Sequence, residues 1–201
     1  MAELEKTDLL RQIRDEILNL KGSPLYRVRV AAGVHPVIGE GNHRARFMFI
    51  GEAPGRNEAA TGRPFCGAAG KVLDALFVST DGALKREDVY VTNIVKDRPP
   101  QNRDPLPEEI AAYAPFLERQ IEIIRPGVIV ALGRFSMDYL FRKFMLEEFL
   151  KNISQMHGKV FDAKAPYGDI KLVALYHPAV AVYNPNVKDE LIKDFAVLKT
   201  L

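Results

Sequence analysis

Four short apolar runs limit what this chain can fold into. Phe47-Met48-Phe49-Ile50, Val89-Tyr90-Val91-Thr92, Val128 to Leu132 and Leu172 to Leu175 carry almost no polar side chain. Runs this short and this apolar read as strands buried on both faces. The segments between them have helical spacing. Gly67 to Val78 places Val72, Leu73, Leu76 and Phe77 on one face, and Pro107 to Ile124 opens on a proline followed by Glu108 and Glu109, both suited to a first turn. A helix follows Gly133 to about Phe144, and a last one runs roughly from Val187 to Leu198. Ahead of the first strand, Glu3 to Lys21 is amphipathic, with Leu9, Leu10, Ile13, Ile17 and Leu20 at helical spacing up to the stop at Gly22-Ser23-Pro24. Leu25 to Asn42, rich in Gly, Pro and Val, is expected to wander over the surface with room for a short strand. Strands alternating with helices predict an α/β fold, a three-layer α/β/α sandwich around a central four-stranded parallel sheet. Residues 1–201 read as one domain, with an N-terminal helix and extension over 1–44 and the α/β core over 45–201.

Composition narrows the classes of function. Apolar residues make up 47% of the 201, enough for a core, and no apolar run is long enough to span a bilayer. Met1-Ala2-Glu3-Leu4-Glu5-Lys6 lacks the features of a secretory leader, and one cysteine, Cys66, excludes a disulfide framework. The expected setting is the reducing cytoplasm, and the expected state a monomer. A formal net charge of +2 does not announce a nucleic-acid binder, so any such role must come from a local site.

In a parallel α/β sheet, ligands bind at the carboxyl ends of the strands. The loops there hold the unusual residues. Gly51-Glu52-Ala53-Pro54-Gly55 and Thr61-Gly62-Arg63-Pro64-Phe65 follow the first strand. Asn93 and Arg98-Pro99-Pro100-Gln101-Asn102-Arg103 follow the second, Gly133-Arg134 the third, and Tyr176-His177-Pro178-Ala179 the fourth. Singly, Glu52 can be a solvated acid, Phe65 core, Asn93 a cap and His177 a turn residue. What sets them apart is that a carboxylate, a phenyl ring, a carboxamide and an imidazole all fall at strand ends of one sheet. The glycine-rich loop is neither a Walker loop nor a dinucleotide fingerprint, because it puts an acid where those need bare amides. Cys66 has no basic partner nearby in sequence and reads as a small buried residue. His35, His43 and His157 lack metal-ligand spacing.

GEAPGRNEAATGRPFCGAAGKVL (51–73), VYVTNIVKDRPPQNRDPLPEEI (89–110), VIVALGR (128–134) and LYHPA (175–179), in this order, resemble the uracil-DNA glycosylase superfamily and within it the family 4 enzymes of bacteria and archaea. The resemblance implies an enzyme that flips uracil out of DNA and cleaves its bond to deoxyribose. It places Glu52 and His177 as catalytic groups, the acid on the attacking water and the imidazole on uracil O2. It places Phe65 as the stacking platform, Asn93 as the reader of the uracil edge, and Gly51, Ala53 and Glu58 in the uracil pocket, with Glu58 the candidate wall against the thymine methyl. Pro54, Arg63, Arg98, Asn102, Arg103, Arg134 and Pro178 are the expected contacts to uracil-containing single- or double-stranded DNA, with no membrane partner.

Three departures stand out. Family 4 enzymes typically hold a [4Fe–4S] cluster on four cysteines, and here the corresponding positions are Leu20, Ser23, Asp97 and Tyr113, none a thiolate. No cofactor and no metal is therefore expected. Leu20 is expected to pack on Tyr113, and Asp97 to bond a backbone amide or pair with an arginine. Glu58-Ala59 replaces two successive acids. Arg98 to Pro107 lacks the basic, histidine-bearing insertion of covalently trapping relatives, so ordinary turnover is expected. Two other functions remain open: a glycosylase for another deaminated base such as hypoxanthine or xanthine, and a non-catalytic module binding damaged DNA.

Overall fold

The computed structural model describes residues 3–201. Its strands are β1 (Glu40–Gly41), β2 (Phe47–Gly51), β3 (Tyr90–Asn93), β4 (Val128–Leu132), β5 (Lys159–Ala165) and β6 (Gly168–Leu175). Among the described residues these six form one sheet in the order β1-β3-β2-β4-β6-β5. The inner four, β3, β2, β4 and β6, are parallel, as the apolar runs predict. The edges correct the expectation of four strands: β1 and β5 are antiparallel additions. β1 is only two residues long. β5 forms a hairpin with β6, which itself begins at Gly168 and not at Leu172. Its Lys159, Asp162 and Lys164 are exposed, as an edge strand permits, and only Ala163 is fully buried.

The helices are α1 (Glu3–Leu18), α2 (Tyr26–Ala32), α3 (Arg56–Thr61), α4 (Ala68–Val78), α5 (Pro107–Ile124), α6 (Arg134–Lys143), α7 (Ile153–Met156), α8 (Ala179–Tyr183) and α9 (Lys188–Ala196). Side chains alternate along each strand, so the sheet feeds two cores. Met48, Ile50, Ile129, Ala131, Leu172 and Ala174 pack with α1, α5 and α6. Phe47, Phe49, Val130, Val173 and Leu175 pack with Leu73, Leu76 and Phe77 of α4 and with Leu191 and Phe195 of α9. The Phe49 ring centroid lies 5.1 Å from Phe77, edge to face, and 5.7 Å from Phe195, stacked. These are the three layers of the sandwich. The segment expected to wander contains α2, which ends on Gly33 in the left-handed region (φ 61°).

Two pairings set the rim where the loops meet. Gly51 and Asn93 are register partners at the ends of β2 and β3. At the ends of β4 and β6, the Gly133 amide donates to the Leu175 carbonyl at 2.8 Å.

Candidate active site

Gly51 is glycine for a steric reason. A Cβ there would lie 2.4 Å from Asn93 Oδ1 and 2.7 Å from Phe65 Cζ. Phe65 reaches this point through a tight turn in which its own φ is 49°. Glu58 Oε1 accepts the amides of Cys66 (3.0 Å) and Gly67 (2.8 Å), closing the turn where α4 begins. Gly70 lets α4 press against that turn, since a Cβ would come 1.8 Å from the Phe65 carbonyl oxygen. Glu58, proposed from sequence as a wall, braces the turn that carries Phe65.

The imidazole comes from the opposite side. Gly133 (φ 91°) leaves room for His177, whose Cβ lies 3.0 Å from where a Gly133 Cβ would sit. The Phe65 and His177 ring centroids are 5.6 Å apart. His177 Nδ1 accepts the Ala179 amide at 3.1 Å, so the neutral ring carries its proton on Nε2. Burial pulls the His177 pKa down to about 4, against a smaller opposing pull from Glu58. At neutral pH the group is an uncharged N–H donor.

Glu52, Phe65, Asn93 and His177 line one cavity of about 440 Å³, together with Ala53, Pro54 and Glu58. Burial pushes the Glu52 pKa up to about 7; the charge of Asp104 adds to this and Arg134 opposes it. Asn93 is 2% exposed, and its Oδ1 is one of two buried side-chain oxygens without a hydrogen-bond partner among the described residues. An orphaned acceptor in a cavity wall is costly unless a ligand supplies the donor.

The arginines expected on DNA are engaged internally. Arg63 donates to both oxygens of Glu40 (2.8 and 2.7 Å), Arg98 to Asn102 Oδ1 (2.6 Å), Arg103 to both oxygens of Glu109 (2.8 and 2.5 Å), and Arg134 to Asp104. Asn102 and Arg103 line the cavity; Arg63, Arg98, Arg134 and Pro178 do not, and Pro178 leads into α8. The Arg63 and Arg134 pairs are solvent-exposed, so exchanging their partners for phosphates costs little. Sequence reasoning missed Asp104, an acid of the second loop that lines the cavity, and Tyr183, 88% exposed at its mouth. The available signals were position alone: Asp104 follows Arg103, and Tyr183 ends the helix after the fourth loop.

The four positions at which the resemblance implies cluster ligands do not suit an iron–sulfur group. They offer no thiolate, and three of them are bonded to one another. Ser23 Oγ meets Tyr113 Oη at 2.8 Å, and Tyr113 Oη donates to Asp97 Oδ2 at 2.7 Å. Arg29 of α2 donates to the same Asp97 oxygen at 3.1 Å and to the Leu18 carbonyl at the end of α1 at 2.9 Å. Leu20 packs at the edge of the core. Cys66 lies elsewhere, its Sγ 3.2 Å from Thr61 Oγ1. Burial pushes the Asp97 carboxyl up, while Tyr113 and Arg29 hold it toward the charged form. Asp97→Ala would strand Arg29, 7% exposed, without a counter-charge. The expected loss is about 3–5 kcal/mol of unfolding free energy, measured by denaturant titration. Removing Arg29 and Asp97 together for apolar side chains should cost far less, and equal losses would contradict the ion-pair account.

Comparison with known proteins gives the family. Residues 38–198 match the family described as the uracil DNA glycosylase superfamily. The chain is 44% identical to the type-4 uracil-DNA glycosylase of Sulfurisphaera tokodaii over 96% of its own length and 85% of the relative's. It is 44% identical to that of Archaeoglobus fulgidus over 92% and 89%, and 45% identical to that of Saccharolobus solfataricus over 96% and 86%. With the family matched over most of its length and the relatives covered almost end to end, this chain belongs to the uracil-DNA glycosylase superfamily.

Proposed function

We infer that the chain is a uracil-DNA glycosylase that takes a flipped-out uracil into the 440 Å³ cavity and hydrolyses its N-glycosidic bond, leaving an abasic site. The observation that carries this is the convergence there of Glu52, Phe65, Asn93 and His177, with Asn93 Oδ1 left without a partner. Uracil N3–H supplies the missing donor. Cytosine carries a lone pair at that nitrogen and leaves the oxygen unpaired, which penalises it. Phe65 stacks the ring. As the bond between N1 and C1′ breaks, its electron pair passes to the pyrimidine and the sugar becomes cationic. The neutral Nε2–H of His177 donates to O2 of the departing anion. Glu52 accepts a proton from the water that adds to C1′.

All four groups come from one chain, which supports action as a monomer. Its DNA-facing arginines meet backbone phosphates by exchanging partners, and with a net charge of +2 binding should depend only modestly on salt. The Ser23–Tyr113–Asp97–Arg29 bonds support work without an iron–sulfur cluster, so purified protein should be colourless and elemental analysis should find no stoichiometric iron.

The direct test is incubation with single- and double-stranded oligonucleotides bearing uracil, hypoxanthine or xanthine, followed by alkaline cleavage of abasic sites. Strand scission at uracil is expected, and it should disappear in His177→Ala. Scission only at a purine would change the substrate, and binding of uracil-DNA without base release would remove the enzymatic reading.

A further inference from the structure

Lys96 is fully buried three residues beyond Asn93. Its Nζ lies 2.8 Å from Thr92 Oγ1, 2.6 Å from the Asn93 carbonyl oxygen and 2.6 Å from Gln120 Oε1. None of these three can offer it a proton. The Asn93 group is a carbonyl. The Thr92 hydroxyl gives its single hydrogen to the Ile38 carbonyl at 2.7 Å. The Gln120 amide is oriented by its nitrogen, which donates to the Ile38 carbonyl (2.9 Å) and to the Tyr90 hydroxyl (3.2 Å). Three acceptors around one nitrogen require three N–H bonds, which an ammonium has and a neutral amine does not. Burial opposes the charge, and the acceptor cage is what holds it. Among the described residues no carboxylate bonds Nζ, so an ammonium there has no counter-charge in contact and stands directly behind the strand end that carries the Asn93 carboxamide.

We propose that Lys96 is a positioning residue of the excision reaction: its ammonium fixes the Asn93 main chain behind the cavity and keeps an unneutralised positive charge there, which favours the negative charge that the pyrimidine acquires on leaving. The inference rests on the uracil-excising reading above. In the low-dielectric interior a buried charge acts over several ångströms.

Two variants and two leaving groups test it. Lys96→Met removes the charge and keeps a long apolar stem. Gln120→Glu retains Lys96 and sets a carboxylate against Nζ, cancelling the field. For both, kcat on uracil in single-stranded DNA should fall about 10- to 100-fold, with KM changed little. On 5-fluorouracil, whose anion needs less stabilisation, the fall should be several-fold smaller. A merely structural lysine would lower both substrates alike, and equal losses overturn the proposal. So does an uncharged Lys96 at pH 7 in the unaltered protein, read from its side-chain carbon NMR shifts. Failure of the unaltered protein to release either base overturns the parent reading, and this one with it.

Discussion

Glu52→Gln is expected to slow uracil release by about a hundredfold to ten-thousandfold and, at the same time, to stabilise the fold above neutral pH. Both effects come from one half-buried carboxyl with a pKa pushed up to about 7. A general base works only when deprotonated, so kcat/KM, which follows the groups of the free protein, should rise with pH through about 7 and then level off. His177, with a pKa of about 4, stays neutral over that range and contributes no limb of its own. The stability sign follows from the same shift. In the folded chain Glu52 keeps its proton up to about 7, whereas unfolded it loses it in the ordinary carboxylate range. The folded state therefore binds more protons between those limits and loses stability as pH rises through them. Gln carries no such penalty. After allowance for the solvent that still reaches the group, the gain should be about 1 kcal/mol at pH 8 and vanish at pH 4. A pH–rate profile that is flat between 6 and 8 would take the base role away from Glu52.

Gly51→Ala is the second large expectation. The added methyl would meet Asn93 Oδ1 at 2.4 Å and Phe65 Cζ at 2.7 Å, so both side chains must move. Displacements of about 1 Å at a reacting site cost on the order of a hundredfold in rate, and overpacking of this kind costs about 1–3 kcal/mol of stability. Gly22→Ala, where a Cβ meets nothing within 4 Å, is the control and should leave kcat/KM unchanged. If Gly51→Ala retains full activity on uracil-DNA, the base is read somewhere other than between Asn93 and Phe65.

What the sequence revealed and what it hid have physical causes. β2, β3 and β4 were legible to within a residue because strands buried on both faces have few polar positions to blur them. β5 was not, because an edge strand shows water its Lys159, Asp162 and Lys164 and looks like a loop. α2 was hidden by the Arg-Val-Arg-Val alternation at 27–30, which has the period of a strand. Tertiary context decided otherwise: from α2, Arg29 reaches Asp97 and the end of α1. At the site, residues at the ends of apolar runs were found because the fold class fixes where strand ends meet. Asp104 was not, because an acid in a long loop carries no periodic sign of facing Glu52. Nor does sequence tell that Arg63, Arg98, Arg103 and Arg134 each have a partner within the protein.

The Ser23–Tyr113–Asp97–Arg29 tie also affects how the protein matures. A tie made of side chains is complete as soon as those residues have come together in the folded polypeptide. It has no thiolate for peroxide to oxidise and nothing a chelator can extract. The segment that it holds leads into the second loop of the cavity, so that loop should keep its shape in air and through oxidative stress.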